Sequence, residues 1–167
     1  MVNSFGDLLE IHSRLDDVFL EHQRGLLRLD LGAASAALEA YELELFAHME
    51  DEEDFMLPVY EERAVAPVGG ASQIFRNEHG KLRQYVLLFK DALGKLRHAE
   101  DLEREVIWLL DSQTTFKRLH VHHDTRERKT LYPLLDGVTS PDEREQMFAK
   151  LRLPPLTQLL IKKSMHD

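Results

Sequence analysis

The sequence contains no cysteine among its 167 residues. Without thiols the chain forms neither disulfides nor thiolate metal sites, and it has no cysteine nucleophile. This absence is typical of a protein in a reducing compartment, so we expect a cytoplasmic location. Residues 1–7 also lack a basic stretch followed by an apolar one, so the sequence predicts no signal peptide.

Long apolar runs and clusters of positive charge are missing as well. No apolar run reaches the roughly 18 residues that a membrane-spanning helix needs, so no membrane span is predicted. The formal net charge is −9, and the basic groups are short and lie among acids. Because a nucleic-acid-binding protein usually presents a basic patch, neither nucleic acid nor an anionic membrane is an expected partner.

Apolar residues, by contrast, recur with helical spacing along most of the chain. Four segments repeat them in steps of three and four, which places the side chains on one face of a helix; the segments cover residues 5–29, 33–63, 72–97 and 101–136. Breakers separate the segments, most clearly Ala66-Pro67-Val68-Gly69-Gly70. We therefore predict an all-α fold, an up-down-up-down four-helix bundle over residues 1–138.

A shorter fifth helix is predicted within residues 139–167. Ser140, Pro141 and Glu143 are the residue types of a capping box with proline in the first turn, and Pro154-Pro155 ends the helix. The following residues, 156–167, include three leucines and an isoleucine. We expect this C-terminal tail to pack on the bundle or on a protein partner.

Two of the predicted helices carry the same polar pair on the face that should be buried. Glu52 follows His48 by four residues, and Glu127 follows His123 by four. Residues at this spacing lie about 5–6 Å apart on one side of a helix. Because a buried histidine or glutamate is costly unless something satisfies it, each pair predicts an imidazole and a carboxylate that reach one metal ion, or a carboxylate that bridges two.

The other two helices each place one histidine at a matching height. At about 1.5 Å rise per residue, His12, His79 and both pairs fall ~10–20 Å from the same end of an antiparallel bundle. One core-facing histidine is more often a hydrogen-bonded core residue than a ligand, but the repeated pairs favour a metal site. Its predicted ligands are His12, His48, Glu52, His79, His123 and Glu127. Nitrogen and carboxylate donors without thiolate suit iron or manganese, with zinc as an alternative.

The remaining histidines fit other roles. His120 lies one turn before His123, and its alternatives are an additional ligand, a donor that orients another group, or a core histidine. His22 is ~15 Å further along than His12, so we expect it to meet Gln113 or Tyr41 in a separate polar layer. The other three, His98, His122 and His166, are predicted at the surface or in the tail.

The order of these residues resembles the hemerythrin-like family, also called the HHE domain, over about residues 5–136. The acidic run from Glu50 to Glu53 before Leu57-Pro58 is similar too, as is the stretch from Glu78 to Arg83. The resemblance implies two non-haem iron ions with a bridging oxygen species. Glu52 and Glu127 would then be bridging carboxylates, with histidines as terminal ligands. The ferritin-like alternative requires glutamate three residues before a histidine, and that spacing does not occur here.

One position departs from the oxygen-carrying hemerythrins, which have two histidines one turn apart on the third helix. Here Phe75 and Arg83 lie one turn to either side of His79. The centre has one histidine fewer unless His120 supplies it, which favours a sensor or redox site over an oxygen store. The resemblance thus implies a protein that binds or senses O2, NO, peroxide or iron. The alternatives are a di-iron redox enzyme acting on peroxide or nitric oxide, and a helical interaction module that the metal stabilises. No separate catalytic residue is predicted.

Overall fold

The fold is described from a computed structural model that covers residues 4–155. All regular structure within these residues is helical, which confirms the predicted fold class. A 3₁₀ turn at Phe5–Leu8 leads into helices α1 (Leu9–Leu27), α2 (Leu31–Asp51), α3 (Leu57–Arg63), α4 (Ser72–Leu96), α5 (Leu102–Arg126), α6 (Tyr132–Val138) and α7 (Pro141–Phe148).

Four long helices form the bundle. Helix α1 packs on α2 and α5, and α4 packs on the same two neighbours, so the four surround a common core. The short α6 lies beside the 3₁₀ turn at the start of the chain, and α3 lies beside α6. None of the described helices combines the length and apolar character needed to cross a bilayer.

The predicted buried faces of the first and third segments are confirmed. In α4 every predicted position is buried: Phe75, His79, Leu82, Val86, Phe89, Leu93 and Leu96. The first segment agrees from Leu8 to Leu26, whereas Leu29 is 38% exposed because the helix has already ended. The three-four spacing therefore predicts the core where the helix is regular.

Two π-helical turns interrupt the other two segments, at Glu52–Met56 and at Glu127–Leu131. The amide of Leu57 donates to the carbonyl of Glu52, and the amide of Tyr132 donates to that of Glu127, five residues back in each case. Pro58 and Pro133 follow in the first turns of α3 and α6, where a missing N–H is best tolerated. Each of the two glutamates predicted as ligands therefore opens a widened turn, a feature often found at functional sites.

Each π turn adds one residue and moves the buried face by one position. Four predicted core positions within or just after the turns are only partly buried, namely Phe55, Val59, Thr130 and Leu134. The next residue is buried in every case, namely Met56, Tyr60, Leu131 and Leu135. The prediction is wrong by one residue there because it assumed an uninterrupted α-helical period.

Below the predicted site the core contains an aromatic layer and then a polar one. The ring of Phe19 lies 5.0 Å from those of Tyr41 and Phe116. Beyond it, the Gln113 amide donates to Nε2 of His22 at 2.8 Å, and Nδ1 of His22 donates to the Ala34 carbonyl at 2.9 Å. This contact confirms the predicted separate polar layer and leaves the His22 ring satisfied.

The predicted fifth helix is present as α7, and its capping box is confirmed. The prediction that Pro154-Pro155 ends it is wrong, because the helix already ends at Phe148. The Glu143 amide donates to Ser140 Oγ at 3.2 Å, and the Ser140 amide donates to the Glu143 carboxylate at 2.8 Å. After α7, the amides of Arg152 and Leu153 both donate to the buried carboxylate of Asp51 at 3.0 Å. The segment of residues 139–155 thus lies against the bundle. The tail predicted at 156–167 lies outside the described residues, and the division at residue 138 stays a prediction.

Candidate metal centre

All the residues predicted as ligands are buried and lie at one level of the bundle. Their exposed fractions range from 0% to 3%: His12, His48, Glu52, His79, His123 and Glu127. They come from α1, α2, α4, α5 and the first residue of each π turn. Their donor atoms form two groups that could each hold a metal ion, one of Glu52, His79, His123 and Glu127, the other of His12, His48 and Glu127.

The first group surrounds a point between α4 and α5. Nε2 of His79 lies 3.2 Å from Oε2 of Glu52, and Nε2 of His123 lies 2.7 Å from Oε1 of Glu127. All four donor atoms lie within 4.8 Å of one another. None of these four atoms has a hydrogen-bond partner among the described residues. Buried polar atoms are rarely left in this state, and a cation between them would satisfy all four.

The second group lies on the side of α1 and α2. The Nε2 atoms of His12 and His48 are 3.0 Å apart, and Oε2 of Glu127 is 3.2 Å from Nε2 of His12. Oε1 of Glu52 is 3.6 Å from Nε2 of His48. Each carboxylate therefore directs one oxygen to each histidine pair, which is the arrangement of a carboxylate that bridges two ions.

Two further carboxylates hold the outer nitrogens of one histidine pair. Nδ1 of His79 donates to Glu53 at 2.8 Å, and Arg83 donates to both oxygens of Glu53. On the other side, Nδ1 of His123 donates to Glu78 at 3.2 Å. Such a contact selects the imidazole tautomer whose Nε2 is free to bind a metal.

The other pair, His12 and His48, lacks a comparable support. The Nδ1 atoms of both rings have no hydrogen-bond partner within the part of the chain that the structure describes. The carboxylate of Asp124 lies 3.6 Å from Nδ1 of His12 and the same distance from Nδ1 of His120, both too long for a direct hydrogen bond. The two histidine pairs are thus held differently.

Protons balance the two central carboxylates in this arrangement. Burial disfavours a charged imidazole, but the nearby carboxylates of Glu127, Glu52 and Glu53 outweigh it and raise the pKa of His79 to about 10. The pKa of His123 is likewise raised well above its usual value, because Glu127 outweighs the cost of burial. For His12, burial dominates and lowers the pKa to about 3. A metal cation between the carboxylates would take over the role of the protons on His79 and His123, so its binding would release them.

Comparison with known protein families gives an independent result. The family model described as the Hemerythrin HHE cation binding domain matches residues 4–135. The chain belongs to this family. Comparisons with curated proteins and with solved structures give no match. The hemerythrin domain thus contains buried His/Glu groups compatible with the cation binding that the family's description names.

The other histidines of the hemerythrin domain stand apart from both groups. His120 is buried, with Nδ1 facing Asp124 at 3.6 Å and Asp16 at 3.7 Å, and it is in neither donor group. His98 and His122 are exposed, as predicted, and His166 lies outside the described residues. The structure therefore provides no contact in support of His120 as an additional ligand.

Sequence reasoning missed the two supporting carboxylates and a tyrosine at the centre. Glu53 and Glu78 each adjoin a predicted ligand in sequence, which is the signal that could have found them. Tyr132 is 1% exposed, and its hydroxyl donates to Oε1 of Glu52 at 2.6 Å. It escaped prediction because the regular three-four spacing does not place position 132 on the buried face. Burial and the adjacent Glu127 raise the pKa of this phenol well above its usual value.

Proposed function

We propose that this hemerythrin domain binds two non-haem iron ions and uses them to bind or sense O2, NO, peroxide or iron supply. The observation that carries the proposal is the placement of Glu52 and Glu127, each with one oxygen toward either histidine pair. Oε2 of Glu52 lies 3.2 Å from Nε2 of His79, in one histidine pair. Oε2 of Glu127 lies 3.2 Å from Nε2 of His12, in the other pair.

The donor set suits iron, the metal that the hemerythrin resemblance implies. Four imidazole nitrogens and two carboxylates supply no sulfur, which suits iron or manganese and admits zinc. Bound iron would supply free coordination positions and a reversible change of oxidation state. The chain would contribute the orientation of the imidazoles through Glu53 and Glu78, and the exclusion of bulk water, since no ligand is more than 3% exposed.

A redox enzyme acting on peroxide or nitric oxide is the second candidate, and one observation favours it. Asp124 lies between His12 and His120, 3.6 Å from a nitrogen of each. Burial and the charge of Glu127 raise the pKa of Asp124 to about 8, so this carboxyl could hold a proton beside the centre near neutral pH.

The test is an optical titration of protein loaded with Fe²⁺ without oxygen. We expect NO or O2 to change the visible spectrum, and the change to reverse when the gas is removed. Glu127→Gln should abolish the change, because an uncharged amide has a single donor oxygen and cannot serve both groups. Glu42→Gln, which removes a surface partner of Lys90, should keep it. The absence of any spectral change in the wild type would contradict the proposal. Sustained peroxide consumption that Glu127→Gln abolishes would favour the enzyme instead.

A further inference from the structure

The phenol of Tyr132 lies among the donor atoms of one histidine pair. Its oxygen is 2.6 Å from Oε1 of Glu52, 3.1 Å from Nε2 of His12 and 3.4 Å from Oε2 of Glu127. The Nε2 atoms of His12 and His48 are themselves 3.0 Å apart. The phenol oxygen thus belongs to the same small cluster of atoms that faces α1 and α2.

The chain positions this oxygen on one side of the centre only. Tyr132 follows Glu127 by five residues, directly after the second π turn. The residue five after Glu52, directly after the first π turn, is Leu57. The two His–Glu motifs are otherwise alike. The motif on α5 is therefore followed by a phenol oxygen at the position where the motif on α2 is followed by an apolar leucine side chain.

We propose that Tyr132 is a seventh protein ligand, which binds through its phenol oxygen the ion held by His12 and His48. The inference rests on the proposed metal binding. The phenol proton leaves to solvent as the oxygen binds the cation, so the charge of the ligand set becomes more negative by one. An anionic oxygen donor is a hard ligand that suits an iron ion.

Tyr132 also adds a donor on the side of the centre that faces away from His79. With it, an ion on the side of His12 and His48 would have as many as five donor atoms from the chain: two imidazole nitrogens, the phenol, Oε2 of Glu127 and Oε1 of Glu52, which lies 3.6 Å from Nε2 of His48. An ion on the side of His79 and His123 would have four. An external small molecule would therefore bind on the side of His79 and His123, where the chain leaves more positions free.

The experiment compares the wild type with Tyr132→Phe and Tyr41→Phe after loading with Fe²⁺ and oxidation by air. Tyr41 is equally buried and contacts Phe19, Phe116 and His120, so its variant is a matched control. We expect resonance Raman modes of an iron-bound phenolate, with a visible charge-transfer band, in the wild type and in Tyr41→Phe. Both signals should be lost completely in Tyr132→Phe.

Wild-type iron protein without phenolate modes, or modes that survive in Tyr132→Phe, would overturn the assignment. Ring-deuterated tyrosine should shift the modes in the wild type, which identifies a tyrosine ligand even if the variant fails to fold. Iron content is a separate reading that tests the proposed function. Two irons without phenolate modes would overturn only the tyrosine ligand. One iron with phenolate modes that depend on Tyr132 would overturn only the two-iron centre. The absence of bound iron would overturn both.

Discussion

Glu53 and Glu78 lie behind two of the histidines, and each carboxylate also pairs with an arginine, Arg83 or Arg126. The arginines keep the carboxylates charged: for Glu53, the hydrogen bonds from His79 and Arg83 outweigh the effect of burial and lower its pKa to about 2. A charged acceptor at Nδ1 makes the imidazole a better metal donor at Nε2. These two glutamates therefore influence metal affinity without being ligands.

We predict that Glu53→Gln and Glu78→Gln each weaken metal binding by about 10–100-fold, the range typical of such outer contacts. Competition with a coloured chelator measures the affinity. Glu61→Gln is the control, since Glu61 pairs with Arg76 at the surface and contacts no predicted ligand. Equal affinity in the control and in both test variants would show that the outer carboxylates do not act on the centre.

The burial of the six predicted ligands was predictable from sequence, because a polar residue on a buried face stands out against its apolar neighbours. Tyr132 did not stand out, since tyrosine is common in cores and the regular helical period does not place it on the buried face. Only the π turn brings Tyr132 to the centre. The backbone hydrogen bond from residue 132 to residue 127 that defines this turn cannot be predicted from the spacing of apolar residues. Glu53 and Glu78 are polar residues beside exposed ones, so their orientation depends on the tertiary contacts with His79 and His123.

At the scale of helices, the centre depends on how closely α1 and α2 approach. Gly25 near the end of α1 faces Ala34 of α2, and a Cβ atom added at Gly25 would lie 2.6 Å from the Ala34 backbone nitrogen. No side chain fits there without a backbone shift. The glycine therefore allows the tight turn that places His12 of α1 beside His48 of α2.

We predict that Gly25→Ala lowers the free energy of unfolding by about 1–3 kcal/mol, as expected for a substitution that forces backbone movement. Gly94→Ala in α4 is the control, because a Cβ there meets nothing within 4 Å. It should raise the free energy of unfolding by about 0.4–1 kcal/mol through the unfolded state. Urea unfolding of the metal-free proteins measures both, and a Gly25→Ala protein as stable as wild type would contradict the close approach.

Helix positions were predictable wherever the α-helical period is uninterrupted, as in α1 and α4. The two long segments that carry the His–Glu motifs were predicted as continuous helices, and each is in fact divided by a π turn at its glutamate. The prolines at 58 and 133 signalled an irregularity, but their position alone did not distinguish a kink from a widened turn. The one-residue shift of the core from Phe55 to Met56, and from Thr130 to Leu131, is the result.

For the whole molecule, the core divides into a layer of buried histidines and glutamates at one end and a mainly apolar region along the rest of the bundle, interrupted by the polar layer of His22 and Gln113. The apolar region includes the aromatic layer around Phe19 and Phe116 and does not involve the ligands. We expect the metal-free chain to stay folded, with the protons on His79 and His123 balancing the carboxylates. This distinguishes the molecule from small domains that fold only when metal binds.

Metal binding should nevertheless raise the thermal stability. A ligand that binds only the folded chain stabilises it by about 2.7 kcal/mol when its free concentration is ~100 times Kd. For a chain of this size that corresponds to a rise in Tm of roughly 5–10 °C per ion. Thermal unfolding followed by circular dichroism, with and without Fe²⁺ under anaerobic conditions, measures the shift. Glu127→Gln should reduce the shift strongly, and an equal rise in that variant would point to binding elsewhere.

The central claim is that two ions share the carboxylates of Glu52 and Glu127, and metal stoichiometry tests it most directly. Protein loaded with Fe²⁺, freed of excess metal without chelators and oxidised, is analysed for iron per chain together with its Mössbauer spectrum. The account predicts two irons per chain that are magnetically coupled, as bridged ions must be. One iron per chain, two uncoupled irons, or a preference for a single zinc ion would contradict it.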